Sequence, residues 1–277
     1  MITLSSLERK VADGEPVTMV NAYDSVMARL VDRSSVDMIL VGDSVGITTL
    51  GYDGTDRVTM DEMIHHAAAV TRVVEETFVM VDLPFGAYNV DPTTAVANAN
   101  RLKKEGGADA VKLEGGQEAA ESVAAITAGG IPTFGHLGVT PQTAEDLDVR
   151  AATADGAERL VADAKAIDEA GASGLVLELV AEEAAAAVTD AVGAFTIGIG
   201  AGPDCDAQVV TLHDLLGLQD VLPETAAGVR ANFGEQIVEH LDAFHEQVTA
   251  GEFPGDTATS RMDLEERDAY LGESTED

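Results

Sequence analysis

The stretch "TTAVANANRLKKEGGADAVKLEGG" (residues 93–116) joins an Ala-rich helical segment to a short apolar strand. The strand carries a lysine and a glutamate, although the whole chain has only five lysines. In an extended chain Lys112 and Glu114 point to one face, and the apolar residues that alternate with them point to the other. Two opposite charges on one face of an apolar strand indicate either a buried ion pair that only balances charge or a functional site.

The alternation of strand and helix continues along the chain. Seven apolar runs have the length of buried strands, at residues 17–23, 37–44, 78–84, 110–116, 131–138, 174–180 and 195–202. A weaker run lies at 209–214, and the segments between the runs are rich in Ala, Glu and Leu. One of these, "AERLVADAKAIDEAGA" (157–172), has apolar residues at the helical period and Gly171 as a suitable C-cap.

Strands that alternate with helices predict a parallel sheet. Seven clear strands and one weaker strand match the eight of an α/β protein of the (β/α)8 TIM barrel class, which needs about 250 residues. A doubly wound sheet is the alternative, but no GxGxxG follows the first strand, and "GIGAG" (198–202) comes too late and lacks the spacing. We expect one barrel domain over 1–255, with a short N-terminal helix in "SSLERKVADGE" (5–15) closing its bottom, and an acidic, loosely ordered C-terminal extension over 256–277.

The chain is strongly acidic, with 50 Asp and Glu residues against 16 Lys and Arg and a net charge of -34. Such a charge repels phosphates, so we expect neither nucleic acid nor an anionic membrane as a partner. With 45% hydrophobic residues, the chain can form a folded core inside an acidic surface. Such a surface predicts adaptation to high salt, because salt screens the repulsion between its negative charges. The single Cys205 excludes an intramolecular disulfide. The sequence has no 18-residue apolar stretch and no signal-peptide pattern, which predicts a cytoplasmic location.

Polar side chains follow the predicted strands at corresponding ends. These residues are Asp43, Asp82, Glu114, His136 and Glu178. In TIM barrels the chemistry takes place at the C-terminal ends of the strands. A single acid in such a place often only caps the next helix. Four acids on four strands are harder to explain in that way, because a packed barrel disfavours inward carboxylates unless a cation compensates them.

A hard divalent cation is the simplest compensator. Three carboxylates without a cluster of Cys or His suit Mg2+ or Mn2+, with water and substrate oxygens completing an octahedron. Lys112 would then offset the charge of a bound anionic substrate. The alternative is a buried Lys112–Glu114 ion pair without a function.

Seven segments, in this order, resemble the signature segments of the ketopantoate hydroxymethyltransferase family. They are "NAYD" (21–24), "LVGDSVG" (40–46), "DLPFGAY" (82–88), "VKLEGG" (111–116), "GHLGVTPQ" (135–142), "LVLELV" (175–180) and "GIGAG" (198–202). The resemblance runs from about residue 3 to residue 255 and is specific, because several different motifs occur in one order.

The resemblance implies a (β/α)8 barrel of the phosphoenolpyruvate/pyruvate superfamily type. It implies transfer of a hydroxymethyl group from 5,10-methylenetetrahydrofolate to 3-methyl-2-oxobutanoate, which gives 2-dehydropantoate for pantothenate and coenzyme A synthesis. It also implies a homo-oligomer, as a large ring-like assembly. Whether the donor is tetrahydrofolate or a methanopterin-type relative, and whether the metal is Mg2+ or Mn2+, stays open.

The resemblance also assigns residues. The implied metal-binding acids are Asp43, Asp82 and Glu114. The implied substrate-contacting residues are Asp43, Ser44, Asp82, Lys112 and His136. Glu178 is the implied general base, which takes the C3 proton of the substrate while a chelated metal and Lys112 stabilise the enolate. The enolate would then attack the methylene group of the donor.

The chain departs from the family pattern after "TPQ". The family commonly has a Gly-rich loop with an aromatic residue and a lysine, whereas this chain has "TAEDLDVRAATADG" (143–156). Ala207 stands where the family usually has Gly.

Two other interpretations of the function remain. A lyase-like or phosphonopyruvate-processing barrel of the same superfamily tends to carry a lid-loop Cys, which Cys205 does not match in position. The other interpretation is a non-catalytic barrel that only binds a 2-oxo acid.

Overall fold

The protein is described here by a computed structural model that covers residues 1–219, 231–255 and 258–272. The described residues form two compact units. The first comprises Met1–Leu215 and Gln219, and the second comprises Leu216–Leu218 with the described residues from Ala231 onwards.

The first unit is a closed barrel of eight parallel strands. The strands are β1 (Val17–Asn21), β2 (Met38–Val41), β3 (Phe78–Asp82), β4 (Ala110–Glu114), β5 (Thr133–Gly138), β6 (Gly174–Glu178), β7 (Phe195–Ile199) and β8 (Ala207–Val210). Each strand pairs with the next in the chain, and β8 closes the barrel against β1. The predicted (β/α)8 barrel is therefore confirmed.

The eighth strand differs from its predicted position near 209–214. It begins at Ala207 and ends at Val210, and Leu212–Leu215 forms a short helix. The polar run before the strand hides its start in the sequence. Ala207 and Val209 nonetheless point into the barrel core, as alternate residues of a strand do.

The first helix precedes β1, and the other helices of this unit follow strands of the barrel. The helices are α1 (Leu4–Ala12), α2 (Ser25–Asp32), α3 (Val45–Thr48), α4 (Met60–Thr71), α5 (Pro92–Lys104), α6 (Ala120–Ala128), α7 (Ala154–Glu169), α8 (Glu182–Ala191) and α9 (Leu212–Leu215). Local sequence explains their ends. Asp91 caps α5 by accepting a hydrogen bond from Thr94 N, and Pro92 follows at the first helical position.

The N-terminal helix α1 closes one end of the barrel interior, as predicted. Its Leu7 belongs to the same buried cluster as Val17, Phe78 and Phe195, which are the first residues of β1, β3 and β7. Because this end is filled with apolar side chains, the charged residues of the interior lie at the opposite end, where the strands finish.

The second unit contains helices α10 (Phe233–Thr249) and α11 (Leu264–Leu271). The helix α11, capped by Asp263, lies within the extension that the sequence predicts to be loosely ordered. The predicted domain boundaries at 1–255 and 256–277 stay predictions. Among the described residues, none of the helices combines the length and the apolar character that a membrane crossing requires.

Candidate active site

Strand register brings the predicted polar residues together at one end of the barrel. The register of β3 and β4 places Asp82 beside Lys112. The register of β4 and β5 places Glu114 beside His136, and Glu178 ends the next strand, β6. Neighbouring strands lie roughly 5 Å apart, so residues at matched positions are in reach of one another.

The lysine and the glutamate of β4 both face the interior. Ala110 belongs to the interior core, and Lys112 and Glu114 follow it at intervals of two residues. Their exposed fractions are only 3% and 6%. In the described residues Lys112 forms its ion pair with Asp82, at 3.2 Å between Nζ and Oδ1, and not with Glu114. The expected alternative of an isolated Lys112–Glu114 pair is therefore not what the structure contains.

The strand-end acids do not serve as helix caps. The N-cap residues of the helices that follow β2, β3, β4 and β6 are Ser44, Asp91, Ala119 and Ala181. The acids lie before these positions and point inward. Helix capping therefore does not explain why four carboxylates stand at the strand ends.

His136 connects the two sides of the acidic group. Its Nδ1 lies 3.0 Å from Lys112 Nζ and 3.5 Å from Glu114 Oε1, and its Nε2 lies 3.3 Å from Glu178 Oε2. Burial, and then the charge of Lys112, lower the pKa of His136, so its neutral form is favoured. The Glu178 side chain is 20% exposed, whereas its partners are nearly fully buried. Among the three side chains that contact His136, Glu178 is thus the most exposed.

Asp43 and Ser44 extend the site across β2. The backbone N of Asp43 donates to Asp82 Oδ2 at 3.1 Å, which ties the two acids together. Ser44 Oγ lies 2.8 Å from Tyr23 Oη and accepts a hydrogen bond from Asn21 Nδ2 at 3.1 Å. These contacts orient the Ser44 hydroxyl, and its role as a substrate contact stays a prediction.

Gln142 is a site residue that the strand-end analysis missed. Its side-chain amide donates to Asp43 Oδ2 at 2.6 Å and to the Leu83 carbonyl at 3.0 Å, and its oxygen accepts a hydrogen bond from Tyr88 Oη at 2.7 Å. Its backbone N donates to Glu114 Oε2 at 3.1 Å. Gln142 therefore joins the acids of β2 and β4. The signal was present, because Gln142 and Tyr88 end two of the family segments, but neither lies in a strand.

The buried carboxylates of the site outnumber its one buried lysine, and their pKa values reflect this environment. Burial, followed by repulsion from Asp82, raises the pKa of Asp43 to about 7. Burial is also the main reason why the pKa of Glu114 is raised to about 8. Burial alone would lower the pKa of Lys112, but the surrounding carboxylates outweigh it and raise this pKa, so the lysine stays charged. One cation is too few for these acids, and the site favours a further positive charge.

The strand-end carboxylates offer oxygen donors to a divalent cation. The described residues contain no group of three or more His, Cys, Asp or Glu side chains arranged to hold a metal ion. Asp43 and Asp82 are nevertheless adjacent, with Lys112 beside them. Mg2+ commonly takes only one or two protein carboxylates and completes its shell with water and substrate oxygens. The oxygen donors and the excess negative charge fit such a cation.

The fold defines the class of protein first. The chain resembles phosphonopyruvate hydrolase in complex with oxalate and Mg2+, with a TM-score of 0.62 and 14% identity over 98% of this chain and 95% of that chain. It also resembles 2,3-dimethylmalate lyase, a PEP mutase/isocitrate lyase superfamily member, with a TM-score of 0.60 and 18% identity over 99% and 96%. At such identities the likeness shows the fold alone, which is that of a TIM barrel.

Closer relatives give the family. The ketopantoate hydroxymethyltransferase family profile matches residues 1–256. The 3-methyl-2-oxobutanoate hydroxymethyltransferase of Ignicoccus hospitalis is 47% identical over 258 residues, which cover 92% of this chain and 97% of the relative. The enzyme of the same name from Moorella thermoacetica is 49% identical over 256 residues, covering 91% and 95%. The chain belongs to the ketopantoate hydroxymethyltransferase family, as its sequence segments predict.

Proposed function

We propose that this protein transfers a hydroxymethyl group to 3-methyl-2-oxobutanoate. In the overall reaction this 2-oxo acid, 5,10-methylenetetrahydrofolate and water give 2-dehydropantoate and tetrahydrofolate. A C–C bond forms between C3 of the acid and the methylene carbon, and C3 loses its proton. Both C–N bonds of the methylene carbon break, the freed nitrogens of tetrahydrofolate are protonated, and water supplies the new hydroxyl oxygen. Family membership supports a one-carbon transferase. The observation that carries the proposal is the buried group of acids around Lys112 at the strand ends.

The 2-oxo acid is an anion and needs a positive site. Lys112 supplies one charge, and its Nζ is held between Asp82 and His136. Ser44 Oγ and His136 are the neutral groups at the same level that would contact the substrate oxygens. We place the carboxylate and the 2-oxo group of the substrate against these residues, with C3 toward Glu178.

Asp43 and Asp82, with Glu114 beside them, are the residues that would hold a divalent cation, Mg2+ or Mn2+. When bound, the cation supplies Lewis-acid stabilisation of the negative charge that develops on the 2-oxo oxygen. It would also stabilise the ionised forms of Asp43 and Glu114, whose pKa values are raised mainly by burial.

Glu178 is the proposed general base. Its carboxylate is partly exposed and lies 3.3 Å from His136 Nε2. A carboxylate takes a proton from carbon at a useful rate only when it is held within reach of that carbon. Lys112 then stabilises the developing negative charge by its own positive charge in a buried site.

The proposal is tested by product formation. Purified protein at high salt is given 3-methyl-2-oxobutanoate with 5,10-methylenetetrahydrofolate or with its tetrahydromethanopterin counterpart, each with Mg2+, with Mn2+ and with a chelator. We expect 2-dehydropantoate with at least one donor, and loss of activity after chelation. Absence of product with both donors in the presence of Mg2+ and of Mn2+ would refute the proposed function.

A further inference from the structure

A cavity of about 620 Å³ lies beside the acidic site, and the roles proposed above for the site residues do not use it. Its walls come from the connections that follow β3, β4 and β5 and from the first turns of α7. Glu114 and Tyr88, which belong to the acidic site or touch it, also line the cavity. Asp43, Lys112 and His136 are not among its lining residues. The cavity is therefore a neighbour of the 2-oxo acid site with one shared wall.

Close backbone approaches shape the walls of the cavity. A Cβ added at Gly116 would lie 2.5 Å from Asp163 Cγ, so the chain after β4 packs directly on α7. Gly138 has φ +95°, and a Cβ there would lie 2.2 Å from the Glu178 carbonyl oxygen. Glycine at these two positions, which both line the cavity, lets the chain after β4 pack closely on α7 and the end of β5 pack closely on the end of β6.

The cavity has the chemistry of a site for a flat heterocycle. Leu137 and Leu160 provide apolar surface, and both are largely buried. Asp163 and Glu118 provide carboxylates, each oriented by one hydrogen bond: Asp163 Oδ1 accepts from Gln117 Nε2 at 2.9 Å, and Glu118 Oε1 accepts from Gly116 N at 3.0 Å. An aminopyrimidine ring presents adjacent N–H donors, which pair well with a carboxylate, and its faces stack on apolar side chains.

The rim adds a positive group. Arg159 lies on the exposed part of α7 and lines the cavity. In a chain with a net charge of -34, an arginine at the edge of a cavity marks a place where an anionic group is tolerated. A ligand with a ring at one end and an anionic tail at the other would match the inner wall and the rim.

We propose that this cavity binds the one-carbon donor, a reduced pterin, with its ring between Leu137, Leu160 and the Asp163 carboxylate and its anionic tail at Arg159. This inference rests on the proposed function, because it assigns the second substrate of that reaction. It also places the donor on the Glu114 side of the 2-oxo acid. The shared chemistry is the reduced pterin, which a folate and a methanopterin both carry.

The test uses the absence of tryptophan from the sequence. Val90 lines the cavity and is 70% exposed, so Val90→Trp introduces a single fluorophore at its mouth. Leu30→Trp, at a 54% exposed position on α2, is the matched control. Both variants are titrated with 5-formyltetrahydrofolate and, in a second arm, with tetrahydromethanopterin, while calorimetry measures binding. The reduced pterin that binds with the lower Kd identifies the type of donor, a folate or a methanopterin. We expect a saturable fluorescence change, or a loss of calorimetric binding, that is confined to Val90→Trp.

The rim arginine is tested separately, at the lowest KCl concentration that preserves the native circular dichroism. Arg159→Glu is expected to raise the Kd of the glutamate-bearing folate by about fivefold or more. Lys165→Glu, the same charge reversal on the same helix outside the cavity lining, should change it less than about twofold. Equal fluorescence changes in the two tryptophan variants, with unchanged calorimetric binding in both, would overturn the cavity assignment.

The proposed function has its own readout. Wild-type protein is incubated with 3-methyl-2-oxobutanoate and Mg2+ in D2O without any donor, and C3 deuteration is followed by NMR. No deuteration means that the proposed function itself fails. Deuteration together with equal behaviour of the tryptophan variants means that only the donor cavity is wrong.

Discussion

Lys112 shows how one residue decides the character of the site. Its ammonium group is nearly fully buried and lies 3.2 Å from Asp82 Oδ1 and 3.0 Å from His136 Nδ1. Asp43 and Glu114 lie in the same buried group, so a single lysine cannot neutralise all of its carboxylates. Buried charges without compensation are costly, so the pKa values of Asp43 and Glu114 are raised, mainly by burial.

This charge excess predicts a pH dependence of stability. The folded pKa values of Asp43 and Glu114, about 7 and about 8, lie above their ordinary values of 3.8 and 4.5. The folded state therefore binds more protons than the unfolded state between about pH 4 and pH 8, and the free energy of unfolding falls as pH rises, by up to about 1.4 kcal/mol per pH unit for each proton.

Urea unfolding at pH 5.5 and pH 8, without divalent cations and at constant KCl, measures this effect. The Asp43→Asn/Glu114→Gln double variant should show a flatter pH dependence than the wild type, because the other acids contribute equally to both. Mg2+ should stabilise the wild type more at pH 8 than at pH 5.5. Identical slopes in the two proteins would contradict the charge excess.

Gln142 is predicted to be a positioning residue. Gln142→Leu removes the amide that donates to Asp43 Oδ2, while the contact of its backbone N with Glu114 remains possible. Loss of a group that orients a metal-binding carboxylate typically weakens metal binding by about 10–100-fold. We expect a weaker Kd for Mn2+ in calorimetry. Gln208→Leu, which loses one amide contact with the Gly202 carbonyl, is the control. Equal Mn2+ affinity in both variants would assign Gln142 a structural role only.

At the scale of elements, the connection after β5 carries the site. Gly138 ends β5, and the chain then brings Gln142 over the acids and returns through Arg150, whose backbone N donates to the Leu179 carbonyl at 2.7 Å. Leu179 itself has φ 51°, directly after the proposed base. The β5–α7 connection and the end of β6 thus support each other, and both depend on the close approach at Gly138.

Gly138→Ala tests this approach. The new Cβ would meet the Glu178 carbonyl oxygen at 2.2 Å and would also force alanine into φ +95°. We expect a loss of roughly 2–4 kcal/mol in the free energy of unfolding, from a strained φ together with overpacking. Gly14→Ala is the matched control, because Gly14 has φ +76° and nothing within 4 Å of an added Cβ. It should lose only about 1 kcal/mol. Equal losses in urea unfolding would show that crowding at Gly138 is unimportant.

The elements and the site were not equally predictable from the sequence. Apolar runs marked seven strands, because a strand buried on both faces of a barrel must be apolar almost throughout. The same pattern made Lys112 and Glu114 visible as exceptions. Gln142 and Tyr88 gave no such contrast, since polar residues are ordinary in loops. Their places depend on how two long connections fold over the barrel end, which no local period records. The start of β8 was obscured for a similar reason, because it follows a polar loop.

At the scale of the whole molecule, net charge is the dominant feature. The charge of -34 exerts repulsion across the surface of the folded protein, and dissolved salt screens it. The exposed apolar residues of α10, such as Ile237, Leu241 and Phe244, are a separate surface feature. Homo-oligomerisation stays a prediction from the family resemblance.

Salt adaptation predicts a higher Tm in molar KCl than in dilute buffer. Thermal unfolding followed by circular dichroism in 0.1 M and about 2 M KCl measures the difference, and sucrose at matched osmolality controls for exclusion of cosolvent from the protein surface. A rise in Tm with KCl that exceeds the rise with sucrose is the expected result. A Tm in molar KCl no higher than in dilute buffer would contradict salt adaptation.

The central claim is that the strand-end group removes the C3 proton of a 2-oxo acid, with Glu178 as the base. Deuterium exchange at C3 of 3-methyl-2-oxobutanoate, followed by NMR in D2O with Mg2+ and without a one-carbon donor, measures this step alone. The wild type and Glu183→Gln, an exposed control on α8, should exchange at similar rates. Glu178→Gln should exchange roughly 10²–10⁴-fold more slowly. Exchange by Glu178→Gln at the wild-type rate would contradict the account.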